Sequence, residues 1–221
     1  MVKAMEKKKG KMPTESKILE FMRKESKPYK FELIEEPEPL RVNVENKIIY
    51  INKNILLNEI KRMAEKGINW KEVWRKNLQH EKAHEKYSEW KSKLAASATE
   101  YGWLLNYLVD LVIDKIHFKD NNRYRKWLLI DARYAYETMK KNLSREFPNF
   151  ETRPQFFYNQ AAYWVAIGAV TLDEAIELYS EKANYIAELA QLFRKIKSEH
   201  DLEWAFPSAK TLFLKHFFGA G

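Results

Sequence analysis

One segment of this sequence can be stable only in the interior of a folded protein. Tyr101–Ile116, within a helix predicted over about 95–118, is apolar on almost every side. A helix of this kind must be covered by neighbours over most of its surface. Asn106, Asp110 and Asp114 recur every four residues along it, so they form one narrow polar stripe. The pattern predicts a helical protein built around a buried helix that carries two carboxylates.

Most of the remaining chain also has helical periodicity. The exception is a predicted β-hairpin, with strands Leu40–Val44 and Ile48–Ile51 joined by the turn Glu45–Lys47. The predicted fold class is therefore mostly α with a small β-hairpin or sheet (α+β). A chain of 221 residues suffices for one large domain or two small ones. Further helices are predicted over about 14–27, 53–66, 70–94, 123–143, 155–167, 171–198 and from Pro207 to 218.

Several helix ends have recognisable signals. Gly67 and Gly168 follow apolar periodic segments and are predicted to end helices. Asn69 can cap the helix that starts at Trp70. Thr171 begins a Thr-x-x-Glu capping box.

The composition limits the kinds of site that this chain can build. It contains no cysteine, so a metal ion must be held by His, Asp or Glu. Lys and Glu are mixed throughout, and with many Ile and no Cys this is typical of thermophiles. Residues 1–12 are Lys-rich and are predicted to form a disordered basic tail, not an export signal. No apolar stretch is long enough to span a bilayer, so a cytoplasmic protein without a membrane partner is expected.

The formal net charge of +8 raises the question of nucleic-acid binding. A large share of the excess lies in the tail, and no Arg-rich stripe, zinc knuckle or glycine–aromatic signature accompanies it. Specific nucleic-acid binding is therefore not expected. A basic helical nucleic-acid-binding protein is kept as the least favoured alternative.

The motif with the clearest chemical meaning is H-E-x-x-H, formed by His80, Glu81 and His84. Residues four apart lie one turn apart on a helix, so both imidazoles can face one metal ion. Glu81 lies beside that ion, where it can take a proton from a water molecule. The alternative is a solvated, charged helix. Apolar residues on much of the circumference, among them Trp74 and Leu78, argue against it.

The aspartate stripe strengthens the metal interpretation. Buried carboxylates are rare unless they are paired or bind a cation, and two in one stripe repel each other. Asp110 follows His84 by 26 residues, a separation that an antiparallel helix pair with a turn at about 94–98 can close. The alternative is that Asp110 and Asp114 meet Lys or Arg from a neighbouring helix, or line a groove open to solvent.

These residues resemble the zincin metallopeptidases. A closer resemblance is to a predicted bacterial and archaeal metallopeptidase-like domain that is often fused to a von Willebrand factor A-like domain. That group pairs H-E-x-x-H with a helix of the pattern Asn-x-x-x-Asp-x-x-Ile/Val-Asn, which is similar to Asn106 through Asp114 here. The resemblance covers about Leu40–Phe118. Two features depart from it: Asp114 replaces the usual Asn, and no von Willebrand-like segment follows. The third histidine of the extended metzincin motif is also absent, because Trp90 stands at its position.

The resemblance implies a role for each residue of the site. His80, His84 and Asp110 would bind one zinc ion, Zn2+, with Glu81 as general base. Whether Asp110 or Asp114 is the inner ligand stays open. Asp114 would accept a hydrogen bond from an N–H group of a zinc histidine, and Asn106 would orient the ligand carboxylate. The oxyanion or the substrate would be contacted by Tyr87, Tyr107 or His117.

The predicted organisation is a tail at 1–12, a minimal zincin-like metal-binding core at 13–118, and a helical C-terminal extension at 119–221 packed on that core. The predicted function is zinc-dependent hydrolysis of a peptide or protein substrate. The main alternative is a non-catalytic, metal-binding zincin-like protein that binds a protein partner through its C-terminal helices.

Overall fold

The computed structural model describes residues 13–35, 40–43, 45–87, 89–90, 93–94, 100–142 and 154–219. It is mostly helical with a small three-stranded sheet, which confirms the predicted fold class. The chain forms two compact units, Met1–Lys82 and Ala83–Gly221, and residues make most of their contacts within their own unit. The predicted tail at 1–12 and residues 95–98 of the predicted turn lie outside the described residues.

The first unit contains the sheet and the helices around it. The predicted hairpin is confirmed, with Val42 opposite Ile49 in an antiparallel pair. A further strand, Lys30–Ile34, pairs in parallel with the second hairpin strand, which is therefore central. The elements are α1 (Glu15–Glu25), β1 (Lys30–Ile34), β2 (Leu40–Asn43), β3 (Ile48–Asn52), α2 (Lys53–Glu65) and α3 (Trp70–Lys86), whose last turn belongs to the second unit.

Local signals fix where these helices start and stop. The Asn52 side chain accepts a hydrogen bond from the N–H of Ile55 and caps α2. Gly67 has φ +79°, a left-handed conformation that ends α2 as predicted. The Asn69 side chain accepts from the N–H of Lys71, which confirms the predicted cap of α3. The core of the unit consists of Ile18, Met22, Leu40, Ile49, Ile51, Leu56, Ile60, Met63, Val73, Trp74 and Leu78.

The second unit is helical in the part that the structure describes. As predicted, its first helix is buried on most sides, with six of its residues buried from Leu104 to Val112. This helix continues into a wider π-helical turn. The elements are α4 (Gly102–Val112), the π-turn (Ile113–His117), α5 (Asn122–Asn142), α6 (Pro154–Ile167), α7 (Leu172–Leu178), α8 (Ala183–Lys195) and α9 (Leu202–Phe218).

Two helix predictions in this unit are wrong. The helix expected over 171–198 is interrupted at Tyr179, which leaves helical geometry (φ −138°, ψ 59°) while its ring stays buried. Pro207 does not open the last helix but lies inside it. A capping box between Ser198 and Asp201 starts the 3₁₀ turn Glu199–Asp201, which leads directly into the helix at Leu202. Proline inside the helix removes one backbone hydrogen bond.

The capping box at Thr171 and the left-handed Gly168, with φ +81°, are confirmed. Among the described helices, none combines the length and the apolar character that a membrane crossing requires.

Candidate metal centre

The H-E-x-x-H residues lie together on α3. His80, Glu81 and His84 each offer one donor atom, and these atoms all lie within 4.8 Å of one another. The arrangement is local, because it follows from the i, i+1, i+4 spacing on one continuous helix. All three residues are half-buried, so they are shielded from bulk water and yet reachable by an ion.

The helix that carries the motif is not a solvated surface helix. Val73, Trp74 and Leu78 are buried within the first unit. In the second unit, Ala83 in the last turn of α3 and Tyr87 just after the helix are also buried. The apolar positions of this segment are therefore buried, as the sequence pattern predicted.

Asp110 on α4 is in contact with His84. Its Oδ1 lies 3.2 Å from His84 Nε2, and the side chains are 35% and 18% exposed respectively. That distance suits a hydrogen bond. It also suits two ligands of one ion, because ligands with bonds of about 2.0–2.1 Å to a tetrahedral zinc ion lie about 3.3 Å apart. One histidine of the motif and one carboxylate of the stripe are therefore already at ligand spacing.

Asp114, the next carboxylate of the stripe, lies in the π-turn in a different environment. It is only 4% exposed. Its Oδ1 accepts a hydrogen bond from the Tyr124 hydroxyl and its Oδ2 accepts one from the Tyr163 hydroxyl. Burial raises the pKa of Tyr163 well above its usual value, and the negative charges of Asp114 and Asp110 add to this effect. Its predicted role as partner of a zinc histidine stays a prediction.

The other predicted site residues are spread over the second unit. Asn106 is exposed on α4. The Tyr107 hydroxyl donates to the backbone carbonyl of Phe156 at 3.2 Å, and burial followed by the charge of Asp110 raises its pKa. This hydroxyl thus keeps its proton and is engaged with the protein backbone.

Tyr87 and His117 contact each other, with Tyr87 Oη 3.5 Å from His117 Nδ1. Burial, and then the charge of Glu199, raise the pKa of Tyr87 to about 12. Burial, and then the positive charge of Lys86, lower the pKa of His117, which favours its neutral form at physiological pH. Both remain candidates for a substrate contact, and neither is shown to make one.

Sequence reasoning missed the hydroxyls that hold Asp114. Neither Tyr124 nor Tyr163 is among the predicted site residues, and the expected partner of a buried aspartate is a cation. A signal was available, because a buried tyrosine almost always finds a hydrogen-bond partner for its hydroxyl. Tyr163 lies in the strongly apolar helix α6, so its hydroxyl needed a polar group on a neighbouring helix.

No family model, curated protein or solved structure matches this chain. The donor atoms therefore carry the functional argument. Two imidazoles and carboxylates, with no thiolate, form a set that binds zinc and other divalent metals of intermediate softness.

Proposed function

We propose that this protein is a zinc-dependent metallopeptidase. His80, His84 and Asp110 hold one zinc ion, and Glu81 is the general base. The observation that carries the proposal is the grouping of His80, Glu81 and His84 donor atoms within 4.8 Å on α3. The 3.2 Å separation of His84 Nε2 and Asp110 Oδ1 supports a third ligand.

The roles follow from the position of each group. Zinc bound there would lower the pKa of a water molecule and polarise the scissile carbonyl. The Glu81 carboxylate would accept a proton from that water and would pass it to the leaving amine. A peptide or protein substrate in extended form can pair with an edge strand, and both β1 and β2 are edges of the described sheet.

Replacing Glu81 separates metal binding from hydrolysis. Glu81→Gln keeps the size of the side chain and removes its ability to take a proton. We expect this variant to retain one zinc per chain, measured by elemental analysis, and to lose at least about 100-fold in the cleavage of unfolded casein or a fluorogenic peptide library. Glu85→Gln is the matched control, since Glu85 is an exposed glutamate one turn further along α3. Equal activity of Glu81→Gln and wild type would refute the peptidase assignment.

A second candidate is a metal-binding protein without catalysis that binds another protein through its C-terminal helices. The observation that favours it is a groove of about 510 Å³ between α8 and α9, lined on one side by Trp204, which is 40% exposed. Zinc-loaded wild-type protein that cleaves none of the substrates would support this candidate. Protein that contains no zinc and takes up none when it is supplied would refute both.

A further inference from the structure

The carboxylate of Asp114 joins three helical elements of the second unit. It lies in the π-turn, where the N–H of Phe118 donates to the carbonyl of Ile113 across a wide turn. The hydroxyl of Tyr124 on α5 donates to one of its oxygens, and that of Tyr163 on α6 to the other. A buried carboxylate needs such donors, because without them its desolvation is costly.

These two hydrogen bonds add a directional constraint to the apolar packing of this helix. Val112 and Ile113, which precede Asp114, are fully buried. Burial of apolar side chains is non-directional. Hydrogen bonds are directional, so two donors from two different helices define the rotation of this helix about its axis.

When the rotation of the helix is fixed at Asp114, the direction of the side chain one turn earlier is fixed as well. Asp110 precedes Asp114 by four residues and lies on the same side of the helix. Its carboxylate meets His84 at 3.2 Å. Tyr163 contacts the second carboxylate, Asp114, directly through its hydroxyl.

We propose that Asp114, Tyr124 and Tyr163 form an anchor that positions Asp110 against His84. The three are positioning residues: they act on the candidate ligand through the helix and need not contact the metal or substrate. The consequences for metal binding rest on the proposed function. The consequences for the Asp110–His84 contact do not.

The experiment compares Tyr124→Phe and Tyr163→Phe with the wild type. Each variant removes one donor to Asp114 and keeps the ring, including the stacking of Tyr124 on Phe118. Tyr185→Phe is the matched control, because it removes an equally buried hydroxyl that donates to Asn159 at 2.6 Å. Two measurements are made on each protein: the nitrogen chemical shifts of the His84 imidazole in metal-free protein, and the affinity and visible absorption spectrum with Co²⁺ as the metal probe.

We expect Tyr124→Phe and Tyr163→Phe to move the His84 nitrogen shifts, to weaken cobalt binding about 10–100-fold and to change the cobalt spectrum, whereas Tyr185→Phe leaves all three unchanged. The anchor is refuted if both variants give the His84 shifts of the control. Wild-type protein that binds neither cobalt nor zinc refutes the proposed function, and the imidazole measurement on metal-free protein still decides on the anchor. If one of the two variants does not fold, the His84 nitrogen shifts of the other variant decide whether the anchor exists.

Discussion

Replacing Asp201 by asparagine should lower the free energy of unfolding by about 1–2 kcal/mol at neutral pH. Asp201 ends the 3₁₀ turn Glu199–Asp201 that leads into α9. One of its oxygens accepts from the indole N–H of Trp204 at 2.8 Å. The other accepts from the backbone N–H groups of Lys197 and Ser198, each at 2.8 Å.

Two independent estimates give this magnitude. The hydrogen bond from Trp204, followed by those from the backbone of Lys197 and Ser198, lowers the pKa of Asp201 from 3.8 to about 2. A shift of this size is worth about 2.4 kcal/mol, which solvent screening of a partly exposed group reduces by roughly half. Asparagine keeps only one acceptor oxygen, so its amide group faces either the Trp204 or the backbone donors, and an unmade hydrogen bond of this kind costs about 1–3 kcal/mol. The two estimates overlap at about 1–2 kcal/mol.

The lowered pKa of Asp201 also determines how its contribution to the free energy of unfolding depends on pH. Because the pKa is lower in the folded state, the folded protein binds fewer protons than the unfolded chain in the acid range, and the stabilisation is complete above about pH 5. It is lost as the pH falls through 3.8 towards 2. The difference in stability between wild type and Asp201→Asn should therefore narrow steadily below about pH 5.

The assay is urea unfolding followed by far-ultraviolet circular dichroism at a series of pH values. Asp120→Asn is the control, because Asp120 is an exposed aspartate in the same unit. Its stability should stay within about 0.5 kcal/mol of wild type at every pH. An Asp201→Asn protein as stable as wild type at neutral pH, or a difference that does not change with pH, would refute the reasoning.

Three further predictions concern the metal, a helix end and the sheet. Free zinc at about one hundred times its Kd should raise the free energy of unfolding by about 2.7 kcal/mol, and His84→Ala should abolish that increase in a thermal melt; an undiminished increase would exclude His84 as a ligand. Lys115→Met should cost about 1–3 kcal/mol in urea unfolding, because its ammonium donates to three backbone carbonyls at the end of α8. The exposed Lys119→Met is the control, and an equal effect of both would contradict this. Ile49→Ala, fully buried in β3, should cost about 2–5 kcal/mol by the same method. Leu33→Ala, at a residue 48% exposed on β1, should change stability by less than about 0.5 kcal/mol; similar losses in both would contradict the described packing.

The features of the fold that local chemistry determines could be predicted from the sequence. The hairpin, the left-handed glycine at Gly168 and the capping box at Thr171 depend on residues within a few positions of one another. Strand β1 does not. Its first four residues alternate between polar and apolar, but the segment is short and most of its residues are exposed, so this pattern does not distinguish a strand from an extended loop. It becomes a strand through pairing with β3, in which Lys30 lies opposite Ile48.

The candidate site also combines a feature that local sequence determines with one that depends on how distant helices pack. The grouping of His80 with His84 follows from helix geometry alone, and the structure describes it as predicted. The partners of Asp114 lie 10 and 49 residues further along the chain, on two other helices. Which hydroxyls reach a buried carboxylate depends on how those helices pack, and no local pattern contains that information.

The strand order of the sheet has a consequence for the synthesis of the protein. The central strand, β3, is the last of the three in the chain. On the ribosome, β1 emerges without a neighbour, and β2 does too, until residues 48–52 leave the exit tunnel. The hairpin can then close at once, whereas β1 must be captured from a distance of 18 residues, as the Lys30–Ile48 pair shows. A pause in translation shortly after β3 would leave time for that capture, and a truncation before it would release two unpaired strands prone to aggregation.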